Sequence, residues 1–418
     1  MNKCITSIIV LSACVATYGW ERVNTNTIYF IDDSATIKES VAPSKNISIN
    51  GQDNFKSGEA AKWKVAPPTN VIVENGVNII SEVLNRNTNT YVGGWIQIGK
   101  TNITLKGNNV VSGDQLWFSD DGASFCAENA TIKLSGTNGF RVDSNSSVVL
   151  KGGSVEANQF RIYSKKGSIT LDGATANVGK IYSGGSMGGM TTAEDFSLIL
   201  KNNTSLTLSD SSYTNPKYSA NSAFHGKIIV DGGSQIKSTY SKYCLYTPAE
   251  ISVSGESSSI ALSTITSKSV ISIENGAKIT ADIVAASDVF VGSNSTLNST
   301  STLTVENTIS VASDANISSS KISFEKLTIA FGEDFSADSD VSFNLGSIFG
   351  GNASVVIAAL ESGSEFTVKG NNGEFSASYK DIDGGTIHIG TQVVPEPATI
   401  AAILGAAALS FAVFRRRK

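Results

Sequence analysis

Few residues in this chain could do chemistry by type and spacing. There are two histidines, His225 and His388, and four cysteines in 418 residues. Adjacent carboxylates occur at Asp32–Asp33, Asp120–Asp121 and Glu194–Asp195. Paired carboxylates could serve general acid and base roles in glycoside cleavage. Asp120–Asp121–Gly122, however, reads as a solvated turn, and each histidine reads as a packed or solvated side chain in or beside a strand. Asp338, Asp340, Asp381 and Asp383 lack the spacing of a calcium loop. Gly93–Gly94 and the run Gly184 to Gly189 do not join a strand to a helix, so they do not form a phosphate cradle. The sequence therefore predicts no catalytic residue, no metal, no cofactor and no enzyme.

The elements that would position such residues are strands. Ser, Thr, Asn and Gly dominate, proline is scarce, and the apolar residues fall in short alternating groups, as in an all-β protein rich in turns. From about residue 100 to 325 one theme recurs: an alternating strand, a Gly or Asn turn, and a second alternating strand. Examples are Val148-Val-Leu150-Lys-Gly152-Gly-Ser-Val155 and Ile271-Ser-Ile273-Glu-Asn275-Gly-Ala-Lys-Ile279. Each strand has an apolar face only two or three residues wide. One such face makes no core alone, but stacked copies bury it as a column. Asn275–Gly276 between alternating strands is also a hairpin signal. The repetition favours a right-handed parallel β-helix, with Ile251/Val253 and Ile271/Ile273 in the same inward column of neighbouring coils. Ile273→Asp is then expected to unfold its coils, and Ser272→Asp, facing outward, to be nearly silent.

Residues 20–99 read as an N-terminal cap and first coils, 100–325 as the repeats, and 326–393 as capping strands that include Ile348, Val355–Ile357 and Phe366–Val368. At roughly 20 residues and about 4.8 Å per coil, Cys126 and Cys244 lie about six coils apart. That is far beyond the roughly 7 Å Cα separation of a disulfide, so two free thiols are expected. A formal charge of −5 and the absence of a basic stripe in the sequence argue against a nucleic-acid partner.

The two ends differ in texture. Met1-Asn2-Lys3 precedes an apolar stretch, so residues 1–19 read as a secretory signal. Leu11-Ser-Ala-Cys14 also has the form of a lipidation box. At the other end Val394-Pro395-Glu396-Pro397 precedes an apolar run, 398–414, of about 17 residues, at the short end of a transmembrane helix. Arg415, Arg416, Arg417 and Lys418 follow as a stop-transfer cluster that stays cytoplasmic.

In that order, box, helix and basic cluster, residues 394–418 resemble the PEP-CTERM sorting signal of bacterial surface and matrix proteins. The resemblance implies cleavage near Pro395, Glu396 and Pro397 by an exosortase-type enzyme, after a membrane-anchored precursor stage. The function expected is that of an exported structural or adhesin-like protein that meets extracellular polysaccharide, or a specific glycan receptor. The competing expectation is a β-helical polysaccharide lyase or hydrolase.

Overall fold

The computed structural model describes the backbone of residues 20–24, 27–30, 34–37 and 47–49. It then describes residues 69–85, 90–99, 101–119, 121–143, 145–183, 195–212, 220–336, 339–379 and 386–389. The signal residues 1–19, Asp32–Asp33, Asp120, Gly184 to Gly189, Glu194, Asp338, Asp381, Asp383 and the whole of 394–418 lie outside the described residues. Among the described residues no helix is long and apolar enough to cross a membrane.

The repeats form a three-sided parallel β-solenoid. On the first side, eleven strands from Thr101–Leu105 to Lys326–Ala330 stack in parallel through ten coil-to-coil steps. The stack continues below through Thr69–Val73 and Ser34–Ile37. The other two sides share long strands that bend midway. In Ser154–Ile162, for instance, residues 154–157 and 159–162 each pair in register with Thr175–Ser183. Coil length varies from 18 residues (Val270 to Asp288) to 30 (Ser197 to Lys227).

Parallel pairing settles the choice between solenoid and hairpins. Asn275 (φ 57°) and Gly276 (φ 79°) both take the left-handed conformation of a hairpin turn. Yet Val270–Glu274 pairs with Ile251–Ser254 below and Asp288–Val291 above, and Lys278–Ala286 pairs with other coils. The turn is a corner between sides. Register follows the expectation: Ile251 opposes Ile271, Val253 opposes Ile273, and all four are fully buried. At about 1.5–3 kcal/mol per buried aliphatic side chain, these inward columns supply most of the driving force. Phe118, Phe140 and Phe160 add an aromatic column, with ring centroids 5.4 and 5.5 Å apart.

Ser272 does not behave as expected. It is only 8% exposed, and its hydroxyl donates to Glu274 Oε1 at 2.6 Å. An aspartate there would meet the Glu274 carboxylate, so it is not a silent site.

At one edge of the first side, Glu74, Lys106, Glu128, Lys151, Asp172, Lys201 and Asp231 alternate in sign up successive coils. Lys106–Glu74, Lys151–Glu128 and Lys201–Asp172 make ion pairs of 3.7, 3.8 and 3.3 Å. Exposed pairs contribute about 0–1 kcal/mol each. Their larger effect is on register, because skipping a coil would bring like charges together.

The C-terminal cap differs from the expected strands. Leu345–Phe349 and Ala353–Glu361 are helices, so Ile348 and Val355–Ile357 are helical. The run Ala-Ser-Val-Val-Ile-Ala-Ala-Leu-Glu puts Val356 in the core, with Ala353, Ile357 and Leu360 packed against it at helical spacing. Asn344 caps the first helix by accepting from the Gly346 amide at 2.8 Å. Both helices lie against Asn316–Ser323, the last strand of the bent sides. Phe366 and Val368 do sit on a strand, Glu365–Gly370, which adds in parallel to Lys326–Ala330. The chain then turns antiparallel through Gly373–Tyr379, Thr386–Ile389 and Asp340–Ser342. This ends the parallel ladder instead of leaving an open edge.

Candidate functional site

The expected candidates for chemistry are scattered. His225 is buried, its ring edge-on to Tyr246 at 6.4 Å, and its amide donates to Ser183 Oγ. His388 pairs with Asp340 in the cap. Asp121 accepts from the Asn145 amide at 2.9 Å, as a turn residue does. Cys126 and Cys244 are free. They lie on strands of coils four first-side steps apart, not six, because the intervening coils are longer than 20 residues. Among the described residues no group of three or more His, Cys, Asp or Glu could hold a metal.

The structure instead assembles residues that the sequence does not flag. On the third side, the outward positions of successive strands run Trp117, Arg141, Arg161, Tyr182 in direct register. Trp95 stands one column over and is 49% exposed, meeting Trp117 edge-on with ring centroids 6.2 Å apart. The Arg141 guanidinium lies 4.8 Å from the Trp117 ring centroid and 4.9 Å from that of Tyr163, and Arg161 lies 4.7 Å from Tyr163. These contacts make one platform of alternating rings and guanidinium planes. Asp143 locks it, accepting from Arg141 Nε and Nη2 at 2.7 and 2.6 Å and from the Trp117 indole at 2.8 Å. Burial raises the Tyr163 pKa, against the lowering influence of Arg161 and Arg141, so its phenol stays protonated.

Beside the platform is a groove of about 670 Å³ lined by Thr137, Asn138, Asn158, Gln159, Arg161, Lys180 and Asp210, among others. A bulge builds its wall. Residues 135–138 stand opposite the single Asp114 of the coil below. Bulges of this kind re-aim side chains next to functional sites. This one is held by the amide side chains of the next coil. Asn158 donates to the Ser135 and Gly136 carbonyls at 2.8 and 3.0 Å, Gln159 donates to the Thr137 carbonyl, and Arg161 Nη1 donates to Asn138 Oδ1.

Across the groove Lys180 pairs with Asp210 at 2.7 Å. Burial pushes the Asp210 carboxyl up, but hydrogen bonds from Lys180 and from the Ser212 amide and hydroxyl outweigh it and hold it below the usual range. Its charge therefore contributes stability above about pH 4, the unfolded range of Asp, and the contribution is lost as pH falls through the lower folded value. Asp210→Asn is expected to lower the melting temperature at pH 7, with the gap to the unaltered chain smaller at pH 3 than at pH 7. Thermal unfolding at both pH values checks this, and an equal gap at pH 3 would contradict it.

No family model matches the chain, and neither a curated protein nor a solved structure matches it.

Proposed function

We propose that this chain is an exported display protein, a right-handed parallel β-helix that does structural and adhesive work at the cell surface or in an extracellular matrix. In this reading residues 1–19 direct export and the apolar helix 398–414 holds the precursor in the membrane. An exosortase-type enzyme cuts near Pro395, Glu396 and Pro397, while Arg415, Arg416, Arg417 and Lys418 remain inside. The observation that carries it is the outer wall of the solenoid. Ten coil-to-coil steps stack the first side in parallel, and along it outward columns of charge, hydroxyl and amide run in register. Such a wall suits repeated weak contact with a polymer.

The groove favours a second reading, a carbohydrate-active enzyme, because it is concave and has a carboxylate in its lining. Glycoside cleavage needs two carboxylates flanking one bond. Lys180 and Ser212 hold the Asp210 carboxyl below the usual range, so it does not stand ready as a proton donor, and Asp143 is engaged by Arg141 and the Trp117 indole.

Replacing Pro395, Glu396 and Pro397 together by alanine is expected to move the chain from the surface fraction to the inner-membrane fraction at its uncut length. Unchanged surface delivery of the triple variant would sink the processing scheme. Release of new reducing ends from polysaccharide by the purified chain would favour the enzyme instead.

A further inference from the structure

Of the three cations at the platform and groove, one stands apart from the paired charges. Arg141 and Lys180 each hold a carboxylate, at 2.6 and 2.7 Å. Arg161 makes no ion pair among the described residues. Its Nη1 goes to the neutral Asn138 amide, its plane lies near Tyr163, and its Nε is buried without a hydrogen-bond partner. A guanidinium so placed keeps its charge uncompensated and, as a lining residue of the groove, presents that charge, though not its whole fork, to an outside anion. Around it the groove offers amides and hydroxyls, groups that donate and accept as sugar hydroxyls do. Three coils below it, past Arg141 and Trp117, stands the half-exposed indole of Trp95, a face on which a sugar ring further along the same chain can stack.

We infer that this groove and platform bind an acidic polysaccharide, one that carries carboxylates on its sugar rings, with the glycan chain running along the solenoid axis. Arg161 takes a sugar carboxylate, and Trp95, braced edge-on by Trp117, packs against a ring face. The axis direction follows from the register. Trp117, Arg141, Arg161 and Tyr182 repeat once per coil, about 4.8 Å apart, a step similar to one sugar in an extended chain. Nucleic acid fits less well. Its dense phosphates would meet Asp143, Asp210 and a chain of net charge −5.

The inference rests on the adhesive reading only for where the glycan is met. Binding by the purified chain and delivery to the surface fail independently of each other.

The test uses the full-length chain in mild detergent against immobilised oligosaccharides of polygalacturonate, alginate and hyaluronate. The methyl ester of the galacturonate oligomer, a neutral glucan and a single-stranded DNA complete the panel. At least one acidic oligosaccharide is expected to bind. Its ester, and the acid form with Arg161→Met, are expected to bind about tenfold more weakly, the loss of one charge-assisted pair. Trp95→Ala changes an exposed side chain and is expected to weaken both the acid and its ester. Lys166→Met, at an exposed first-side cation, is expected to leave binding unchanged. Failure of every acidic probe, equal binding of acid and ester, preference for DNA, or equal effects of Arg161→Met and Lys166→Met would each overturn the inference. If Arg161→Met does not fold, the acid-to-ester ratio and Trp95→Ala still decide it.

Discussion

Ile273→Asp is expected to unfold the middle of the solenoid. The side chain is fully buried, between Val253 of the coil below and Val291 of the coil above. An aspartate there has no cation or donor within the column. It must bury a charge or take up a proton, at a cost of several kcal/mol. A solenoid is held by nearest-neighbour contacts, so the loss should be local first. Amide exchange protection is expected to fall in the coils around residues 251–311, while the coils around Phe140 keep theirs. Thr304→Asp is the matched control. Thr304 is exposed on the strand Thr296–Val305, between buried Leu303 and Val305, and its change should stay within about 0.5 kcal/mol. Equal loss of stability from the two substitutions would contradict the inward and outward assignment.

The second large effect belongs to a corner. Gly153 has φ +70°, and a Cβ there would overlap the Ala130 carbonyl oxygen and lie 2.7 Å from the Ala130 nitrogen. Both obstacles are backbone atoms of the coil below, and the Ser154 amide donates to that same carbonyl at 2.9 Å. Relief requires the two coils to part. Gly122 has φ +84° with nothing within 4 Å of the same position. Gly122→Ala is thus expected to cost only the left-handed penalty, about 1–2 kcal/mol. Gly153→Ala adds a steric clash to that penalty and should lower the unfolding midpoint clearly further. Denaturant titrations of the two variants check the difference, and similar midpoints would show that the turns do not stack this closely.

The inward face was open to sequence reading because it depends on alternation alone. Ile251, Val253, Ile271 and Ile273 are apolar at every second position, and only one register buries all of them. The cap was harder. Val355-Val-Ile357 has strong strand propensity, yet helical spacing with Ala353 and Leu360 decided its conformation through tertiary packing. The site was hidden for a different reason. Trp117, Arg141, Arg161 and Tyr182 are separated by 24, 20 and 21 residues, one coil each. Any local window sees one isolated ring or charge.

A signal did exist. Trp117, Arg141 and Arg161 each directly precede a buried core residue, Phe118, Val142 and Ile162. Aligning the coils on those core positions would have brought the platform residues into one column. The bulge at 135–138 obscured that alignment by adding residues to a single coil.

The reading of an exported, processed solenoid is tested most directly by the mass of the chain recovered from the cell surface, with both termini sequenced. The predicted product begins after the export signal, near residue 20, keeps the whole body through Thr386–Ile389, and ends before Ala398. A surface chain that still carries Met1 and ends at Lys418, in cells with an active exosortase, would contradict it.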